Sequence, residues 1–374
     1  MKKITEITVF SFGDSTKIST WSNVPFFFTT TLEKKGIYIN RVNINPNRIL
    51  NGIFQSFISP LLKLIDKNNS FKYNRTFIFN IEVNLKIKKA VKRFSQSDAF
   101  IFLNFDFSTV KFTPKPSILF GDWTYEHYIK YHLNKKPNFF ELQFLKRQDK
   151  NINDSTLVFP LFPGMAEYMA KKYSSKIVYL GNVINSLYES KEEEILSLKR
   201  NFNKILFIGS PKYIEGANSL LEAFKILKPN YPSLILNFIG LKGSHFYNLP
   251  KDVNCYGYLD KGNITQREIY YRLLKEASVF VNTTPKWSAF SASLEAMYFY
   301  TPVIIPPYEE FVKTFGEDFT GGIYCDNNHY LADKIEFIFN NKLYEEMCIN
   351  AKELVKEFTW DSYIDKMLIE IMKL

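Results

Sequence analysis

The sequence predicts an α/β protein made of two doubly wound domains with a cleft between them. The chain has 374 residues, and this length suits about two domains. Hydrophobic residues make up 46% of the chain, so each domain can bury a core. Short β-rich runs alternate with helical segments, as in βαβ units around a parallel sheet. Ligands of such sheets bind beyond the carboxyl ends of the strands, which favours a binding function.

The first series of elements is predicted to form an N-terminal Rossmann-like domain over residues 1–186. Its predicted strands lie at 7–12, 37–42, 76–79, 99–103, 117–120, 156–159 and 176–180. Its predicted helices lie at 25–35, 83–95 and 164–173.

The second series is predicted to form another Rossmann-like domain over residues 187–355. It opens with a highly charged stretch at 189–200, which indicates an exposed helix or a linker. A helix is predicted at 217–227, and strands at 204–209, 234–239, 253–256, 278–281, 303–305 and 322–324. The tail, 356–374, is predicted to be an amphipathic helix that packs back toward the first domain.

Composition and charge indicate which classes of binding partner this protein can have. The formal net charge is +10, but the lysines are spread along the chain and no nucleic-acid-binding motif is visible. We therefore predict no nucleic-acid partner. Solubility is the default interpretation of the charge, and attraction to an anionic membrane or to phosphorylated ligands stays open.

Cysteine and histidine usage predicts neither disulfides nor a metal site. Cys255, Cys325 and Cys348 are odd in number and scattered, which favours a reducing, cytoplasmic setting. His127 and His132 lack the spacing of ligands on one helical face. The first residues do not resemble a secretory signal, and no uncharged apolar run is long enough for a spanning helix.

The most informative segment runs from Thr283 to Ile305. It follows an apolar strand, opens a helix on a polar turn, places Glu295 in the sequence Leu-Glu-Ala-Met, and continues through Thr-Pro-Val into another strand. This segment resembles the donor-site signature of retaining glycosyltransferases of family 4, the glycosyl transferases group 1. Glu295 stands at the second glutamate of that signature, and Trp287 stands where the first is usual.

The resemblance assigns Glu295 to the ribose of a donor nucleotide, where a carboxylate can face two hydroxyls. It assigns Ser288, Ala289 and Phe290 to a turn whose backbone N–H groups point at phosphate or sugar oxygens. Trp287 is a candidate catalytic residue that stacks on a sugar ring; packing in the core is the alternative.

The stretch from Lys204 to Leu227 is similar to a second segment of the same family, with a strand, a glycine-containing loop and a Leu-Leu-Glu-Ala-Phe helix. Ser210 and Glu215 replace the arginine and lysine that usually hold the donor diphosphate. Ser210 and Lys212 are therefore our candidates for donor binding in this loop, and a solvated Lys212 is the alternative.

The first half of the chain carries further positions of the resemblance. Gly13, Ser22 and Asn23 match the loop and helix start that face the donor phosphates, although Ser22 and Asn23 replace a usual glycine pair. An N-cap for the following helix is the alternative role for either residue. Asp122 follows a predicted strand and is the second candidate catalytic residue, orienting the acceptor hydroxyl or capping the next turn.

Taken as a whole, the resemblance implies a GT-B fold and transfer of a sugar from a nucleotide diphosphate sugar to a glycan or lipid-linked acceptor, with retention of configuration. It implies no cofactor and no metal, because helix N-termini and basic side chains neutralise the diphosphate. A catalytically silent binding module and an inverting transferase with Asp122 as base remain alternatives.

An apolar stretch at 49–65 is flanked by Arg48 and Lys67. It predicts either contact with a membrane surface near a lipid-linked acceptor or a buried amphipathic helix pair.

Overall fold

The structure, a computed structural model, describes residues 4–65, 71–199, 203–284 and 290–374. The chain divides into two compact units. The first comprises Met1–Asn182 and Trp360–Leu374, and the second comprises Val183–Thr359. Each unit contains one parallel six-stranded sheet with flanking helices, so the predicted α/β class of two doubly wound sheets is confirmed.

The strands follow the order of the chain. In the first unit they are β1 (Glu6–Ser11), β2 (Tyr38–Asn43), β3 (Ala99–Phe102), β4 (Ser117–Gly121), β5 (Leu157–Pro160) and β6 (Lys176–Ile177). In the second they are β7 (Lys204–Ile208), β8 (Ile235–Ile239), β9 (Val253–Cys255), β10 (Val279–Val281), β11 (Val303–Ile305) and β12 (Gly322–Tyr324). The sheet orders are β2-β1-β3-β4-β5-β6 and β12-β11-β10-β7-β8-β9.

The helices are also numbered along the chain. The first seven are α1 (Val24–Lys34), α2 (Arg48–Ile53), α3 (Ser59–Ile65), α4 (Phe77–Arg93), α5 (Tyr125–His127), α6 (Phe139–Asp154) and α7 (Pro163–Lys172). The others are α8 (Glu192–Lys199), α9 (Ile214–Leu227), α10 (Ile264–Glu276), α11 (Ser291–Tyr298), α12 (Glu309–Phe315), α13 (Leu331–Asn340), α14 (Tyr344–Val355) and α15 (Trp360–Met372). A π-helical turn at Phe54–Ile58 joins α2 to α3, and another at Tyr128–His132 directly follows α5.

The core of the first unit lies on both faces of its sheet. Nearly every residue of β1, β3, β4 and β5 is buried, which explains why β3 and β5 are apolar without alternation. Phe10 and Phe102 stack across neighbouring strands with ring centroids 4.4 Å apart.

Helix α15 completes this core. Trp360 packs edge-on against Phe28 of α1, with centroids 6.0 Å apart, and Tyr363 packs against Phe120 of β4 at 5.6 Å. Lys35 pairs with Asp365 at 2.7 Å beside the same contact. The last helix is therefore part of the first unit's core.

The strand predicted at 76–79 is wrong, because these residues form the first turn of α4. The hydroxyl of Thr76 accepts a hydrogen bond from the N–H of Phe79 at 3.1 Å and caps the helix. Phe79, Val83, Ile87 and Ala90 then recur at helical spacing on its buried face. The aromatic and β-branched residues at 76–79, which favoured a strand, therefore form the start of a helix.

The segment 189–200 contains α8, but the helix is not a simple exposed one. Ile195 and Lys199 are fully buried. The Lys199 ammonium donates to the carbonyl of Ala277 and to the hydroxyl of Thr301, both at 2.7 Å. Burial lowers the pKa of Lys199 to about 7, and its hydrogen bonds fix α8 on the second unit's core.

The alternative of a buried helix pair at 49–65 is also wrong. Phe54 is buried, whereas the other large apolar side chains described from Ile49 to Leu64 are mostly exposed. No helix in the described ranges is both long and apolar enough to cross a membrane.

Candidate functional site

The candidate donor site lies at the carboxyl edge of the second unit's sheet. All of its strands are parallel, so the loops that follow β7, β9 and β10 leave the sheet at one edge. The sequence-predicted residues from Ser210 to Glu295 follow these strands, and this edge is where such sheets bind ligands.

Glu295 lies in the second turn of α11, and its side chain is buried. One carboxylate oxygen accepts a hydrogen bond from the Lys261 ammonium at 2.6 Å. The other accepts from the Tyr270 hydroxyl at 2.7 Å. The carboxylate is therefore held in one orientation by a cation and a phenol.

The turn before α10 is what positions Lys261. Asp260 accepts a hydrogen bond from the N–H of Gly262 at 2.8 Å, and Asn263 caps α10 by accepting from the N–H of Gln266 at 3.1 Å. Lys261 also donates to the carbonyl of Asn185 at 3.0 Å. These contacts place a buried positive charge next to Glu295.

Two tyrosines of α10 line this ion pair. The Lys261 ammonium lies 4.3 Å from the ring centroid of Tyr270 and 5.4 Å from that of Tyr271. Burial, together with the Glu295 charge, raises the pKa of Tyr270 well above its ordinary value. Burial likewise raises the pKa of Tyr271. Both phenols are therefore neutral hydrogen-bond donors at neutral pH.

The exit of β10 is polar and closely packed. Asn282 accepts a hydrogen bond from the Thr284 hydroxyl at 2.9 Å, and Tyr308 donates to the Thr284 carbonyl. A Cβ on Gly216 would lie 2.7 Å from the Thr284 nitrogen, so glycine allows α9 to approach this loop. The Thr283 hydroxyl is buried without a hydrogen-bond partner in the described part of the chain.

The loop after β7 holds the residues that replace the usual diphosphate-binding cations. Ser210 and Lys212 are exposed, and the Lys212 ammonium lies 4.7 Å from the Tyr213 ring centroid. Glu215 is exposed in the first turn of α9. Among the described residues, the side chain that forms an ion pair with Glu295 is Lys261, not Lys212.

Phe290 contributes to packing. Its side chain is buried, with its ring centroid 5.2 Å from that of Phe311. Trp287, Ser288 and Ala289 lie outside the described residues, so their assigned roles stay predictions.

Ser22 and Asn23, which replace the usual glycine pair, have an unusual backbone conformation. Ser22 and Asn23 have φ values of 52° and 72°, in the left-handed region that favours glycine. Asn23 occupies the N-cap position of α1, but its side chain donates to the Ile18 carbonyl and makes no capping hydrogen bond. Gly13 has a φ of 89°, and a Cβ there would lie 2.7 Å from Thr20.

Asp122 follows β4 and is half-buried. Its carboxylate accepts a hydrogen bond from the N–H of Trp123 at 2.8 Å. Asp106, after the neighbouring β3, accepts from Gln148 at 2.6 Å. Burial raises the pKa of Asp106, and the charge of Asp122 raises it further, while Gln148, Arg75 and Arg147 oppose the rise. A Cβ on Gly121 would lie 3.1 Å from the ring of Phe105, so the loops that carry Asp122 and Asp106 are in contact. The carboxyl edge of the first sheet thus holds this acidic pair.

Lys261 and Tyr270 were missed by the sequence interpretation. Lys261 is 34 residues from Glu295, and nothing in its local pattern distinguishes it from a surface lysine. A lysine directly before a capped helix at the ligand edge of the sheet is the one available signal. Within the described ranges, no group of three or more His, Cys, Asp or Glu side chains could hold a metal ion.

Comparison with solved structures defines the class of the fold. The sucrose-phosphate synthase from Thermosynechococcus elongatus is similar over 99% of this chain and 98% of that one, with a TM-score of 0.70 and 13% identity. WaaG, a glycosyltransferase involved in lipopolysaccharide biosynthesis, is similar over 98% and 99%, with a TM-score of 0.65 and 13% identity. HepE from Anabaena, solved with UDP and glucose, covers 100% of both chains with a TM-score of 0.61 and 13% identity. These similarities show the GT-B fold.

A family model matches most of the second half of the chain. Residues 189–354 match the family described as "Glycosyl transferases group 1". The chain therefore has the GT-B fold, and its residues 189–354 match the glycosyl transferases group 1 model, which confirms the resemblance seen in the sequence. A comparison with curated protein sequences found no match.

Proposed function

We propose that this protein transfers a sugar from a nucleotide diphosphate sugar to a glycan or lipid-linked acceptor, with retention of the anomeric configuration. The observation that carries the proposal is the buried Glu295 carboxylate, held by Lys261 and Tyr270 at the carboxyl edge of a glycosyl transferases group 1 domain. A rigid carboxylate at this edge suits the hydroxyls of a ribose. The described relative HepE is solved with UDP and glucose, which supports a nucleotide-sugar donor here.

In this proposal the chemistry rests on positioning and on charge. The departing diphosphate takes the proton of the acceptor hydroxyl, so a protein base is not needed. Lys261 supplies a buried positive charge at the donor edge, and backbone N–H groups at helix starts supply partial charges. The proposal needs no metal and no cofactor. Asp122 would orient the acceptor hydroxyl.

We further propose that the enzyme works in the cytoplasm, in the synthesis of cell-surface polysaccharide, with peripheral contact to a membrane. The exposed apolar side chains of α2 and α3 support the membrane contact. The structurally similar WaaG is involved in lipopolysaccharide biosynthesis, which supports the class of product.

Thermal shift and calorimetry with nucleoside diphosphates and their sugars test the proposal. Stabilisation by one nucleotide, lost in Glu295→Ala, is the expected result. A silent binding module is the second candidate, favoured by Ser210 and Glu215 in place of the usual cations. Absence of binding by every nucleoside diphosphate would support that module.

Retention of configuration has its own test. The anomeric proton signal of the product, followed by NMR, is expected to match that of the donor. An inverted signal would instead support Asp122 as a base.

A further inference from the structure

The first unit exposes an unusual number of large apolar side chains. Ile53 and Leu64 on the helical segment α2–α3 are 49% and 81% exposed, and Ile78 on the first turn of α4 is 56% exposed. Phe139 and Phe140 at the start of α6 are exposed as well. A contiguous apolar surface of this kind marks an interaction site more often than an ordinary solvated face.

These elements enclose a groove of about 500 Å³. Its floor is formed by Phe54, Phe71 and Tyr73, which are buried. Ile53 and Ile78 stand on its walls. The volume falls within the range of sites that bury a small organic ligand, and the lining is mostly hydrocarbon.

The groove is not uniformly apolar. Arg75 and Arg147 line it, and no carboxylate does so among the described residues. An N–H of Arg147 donates to the Arg75 carbonyl at 2.7 Å, and the Arg75 guanidinium lies 3.9 Å from the ring centroid of Tyr125. The N-terminal turn of α4, capped by Thr76, adds partial positive charge at the same place. An anionic group is therefore complementary to this part of the groove.

The arginines also connect the groove to the acidic pair at the carboxyl edge of the sheet. The Arg75 guanidinium lies over the ring of Tyr125, whose backbone N–H donates to Gln148 at 2.9 Å. Gln148 in turn donates to Asp106 at 2.6 Å. Asp122 follows the strand that neighbours the one before Asp106. A ligand whose anionic group meets the arginines would have its adjoining sugar near Asp122.

We propose that this groove binds the hydrocarbon chain of a lipid-linked acceptor, with the phosphate or diphosphate of the lipid against Arg75 and Arg147. This inference rests on the proposed glycosyl transfer and names the class of its acceptor. The occupant is a single lipid chain, not the surface of a bilayer. The apolar walls, the arginine pair and the nearness of Asp122 each correspond to one part of such an acceptor: the chain, the phosphate and the sugar.

Calorimetry with monomeric farnesyl diphosphate tests the proposal on the full chain. Farnesol is the probe for the hydrocarbon chain alone, and inorganic diphosphate is the probe for the anionic group alone. Ile53→Asp places a charge on the wall and is expected to weaken farnesyl diphosphate binding by about tenfold or more. Leu64→Asp, on the same helical segment but outside the groove, is the matched control and is expected to bind as the wild type does. Both changes lie at exposed positions, so the fold is expected to survive.

Arg147→Gln separates the two parts of the ligand. It is expected to weaken farnesyl diphosphate while leaving the weaker binding of farnesol unchanged. Failure of farnesyl diphosphate to bind the wild type would overturn the proposal. So would equal losses in Ile53→Asp and Leu64→Asp, because a bilayer-facing surface, not a groove, would respond in that way. Nucleotide binding measured in the same samples distinguishes this failure from failure of the proposed function, which predicts donor binding whether or not the lipid binds.

Discussion

At the scale of single residues, the proposed function depends most on the ion pair of Lys261 with Glu295. Both side chains are more than nine-tenths buried. Removing one partner leaves the other as an uncompensated buried charge, whereas removing both charges does not. This asymmetry makes the pair testable without any ligand.

We expect Lys261→Met to lower the free energy of unfolding by about 3–5 kcal/mol, because Glu295 loses its cation. The double change Lys261→Met with Glu295→Gln is expected to recover a large part of that loss. Urea unfolding of the single and double variants measures the difference. The exposed Lys212→Met is the control and should change the free energy by less than about 0.5 kcal/mol. A double variant no more stable than Lys261→Met would show that the pair is not the cause.

Ser22 is the second residue with a specific backbone requirement. Because its φ of 52° favours glycine, Ser22→Gly is expected to be more stable than Ser22→Ala by about 1 kcal/mol. Ser197 within α8 is the matched control, where the order should reverse because alanine favours a helix. A Ser22→Ala variant at least as stable as Ser22→Gly in thermal unfolding would contradict a left-handed Ser22.

At the scale of elements, the start of α4 shows where sequence interpretation fails. The run 76–79 has the residue types of a strand, and only the hydrogen bond of Thr76 to Phe79 and the packing of the following turns select a helix. Strands such as β3 and β5 were predictable because burial on both faces makes them continuously apolar. The sequence alone did not decide between exposed and buried side chains for α2 and α3, because apolar spacing is the same for a helix in a core and for one whose apolar side chains face outward.

The cap of α4 gives a prediction at this scale. Thr76→Ala is expected to cost about 1 kcal/mol of unfolding free energy, because the N–H of Phe79 loses its acceptor. Thr76→Ser keeps the hydroxyl and should stay close to the wild type. Equal losses in the two variants, measured by urea unfolding, would show that Thr76 acts by packing and not by capping.

At the scale of the whole molecule, the chain's last helix belongs to its first unit. The sequence predicted such a helix from its amphipathic pattern, but the ring contacts of Trp360 with Phe28 and Phe120 depend on tertiary packing. The candidate donor site in the second unit shows the same limit of sequence interpretation. The sequence predicted the signature around Glu295, but it did not predict the hydrogen bonds of Glu295 with Lys261 and Tyr270. Those hydrogen bonds depend on how α10 packs beside α11, which no local pattern encodes.

Hydrogen exchange can test the division into units. Trp360→Ala leaves a cavity in the first unit, so we expect faster amide exchange in α1 and β4 and unchanged exchange in β7. Ile369→Ala, at an exposed position of the same helix, is the control and should change neither. Faster exchange in β7 to the same extent would mean that the two units unfold as one.

The most direct test of the proposed function is release of sugar from a panel of UDP-, GDP-, ADP- and CMP-sugars by the wild type and by Glu295→Gln. Glu222→Gln, which changes an exposed glutamate on α9, is the control. We expect one donor to be turned over, with at least about a tenfold loss in Glu295→Gln and none in Glu222→Gln, because only Glu295 lies at the donor edge. Equal turnover by Glu295→Gln and the wild type, with both variants folded, would contradict the assignment of Glu295 to the donor.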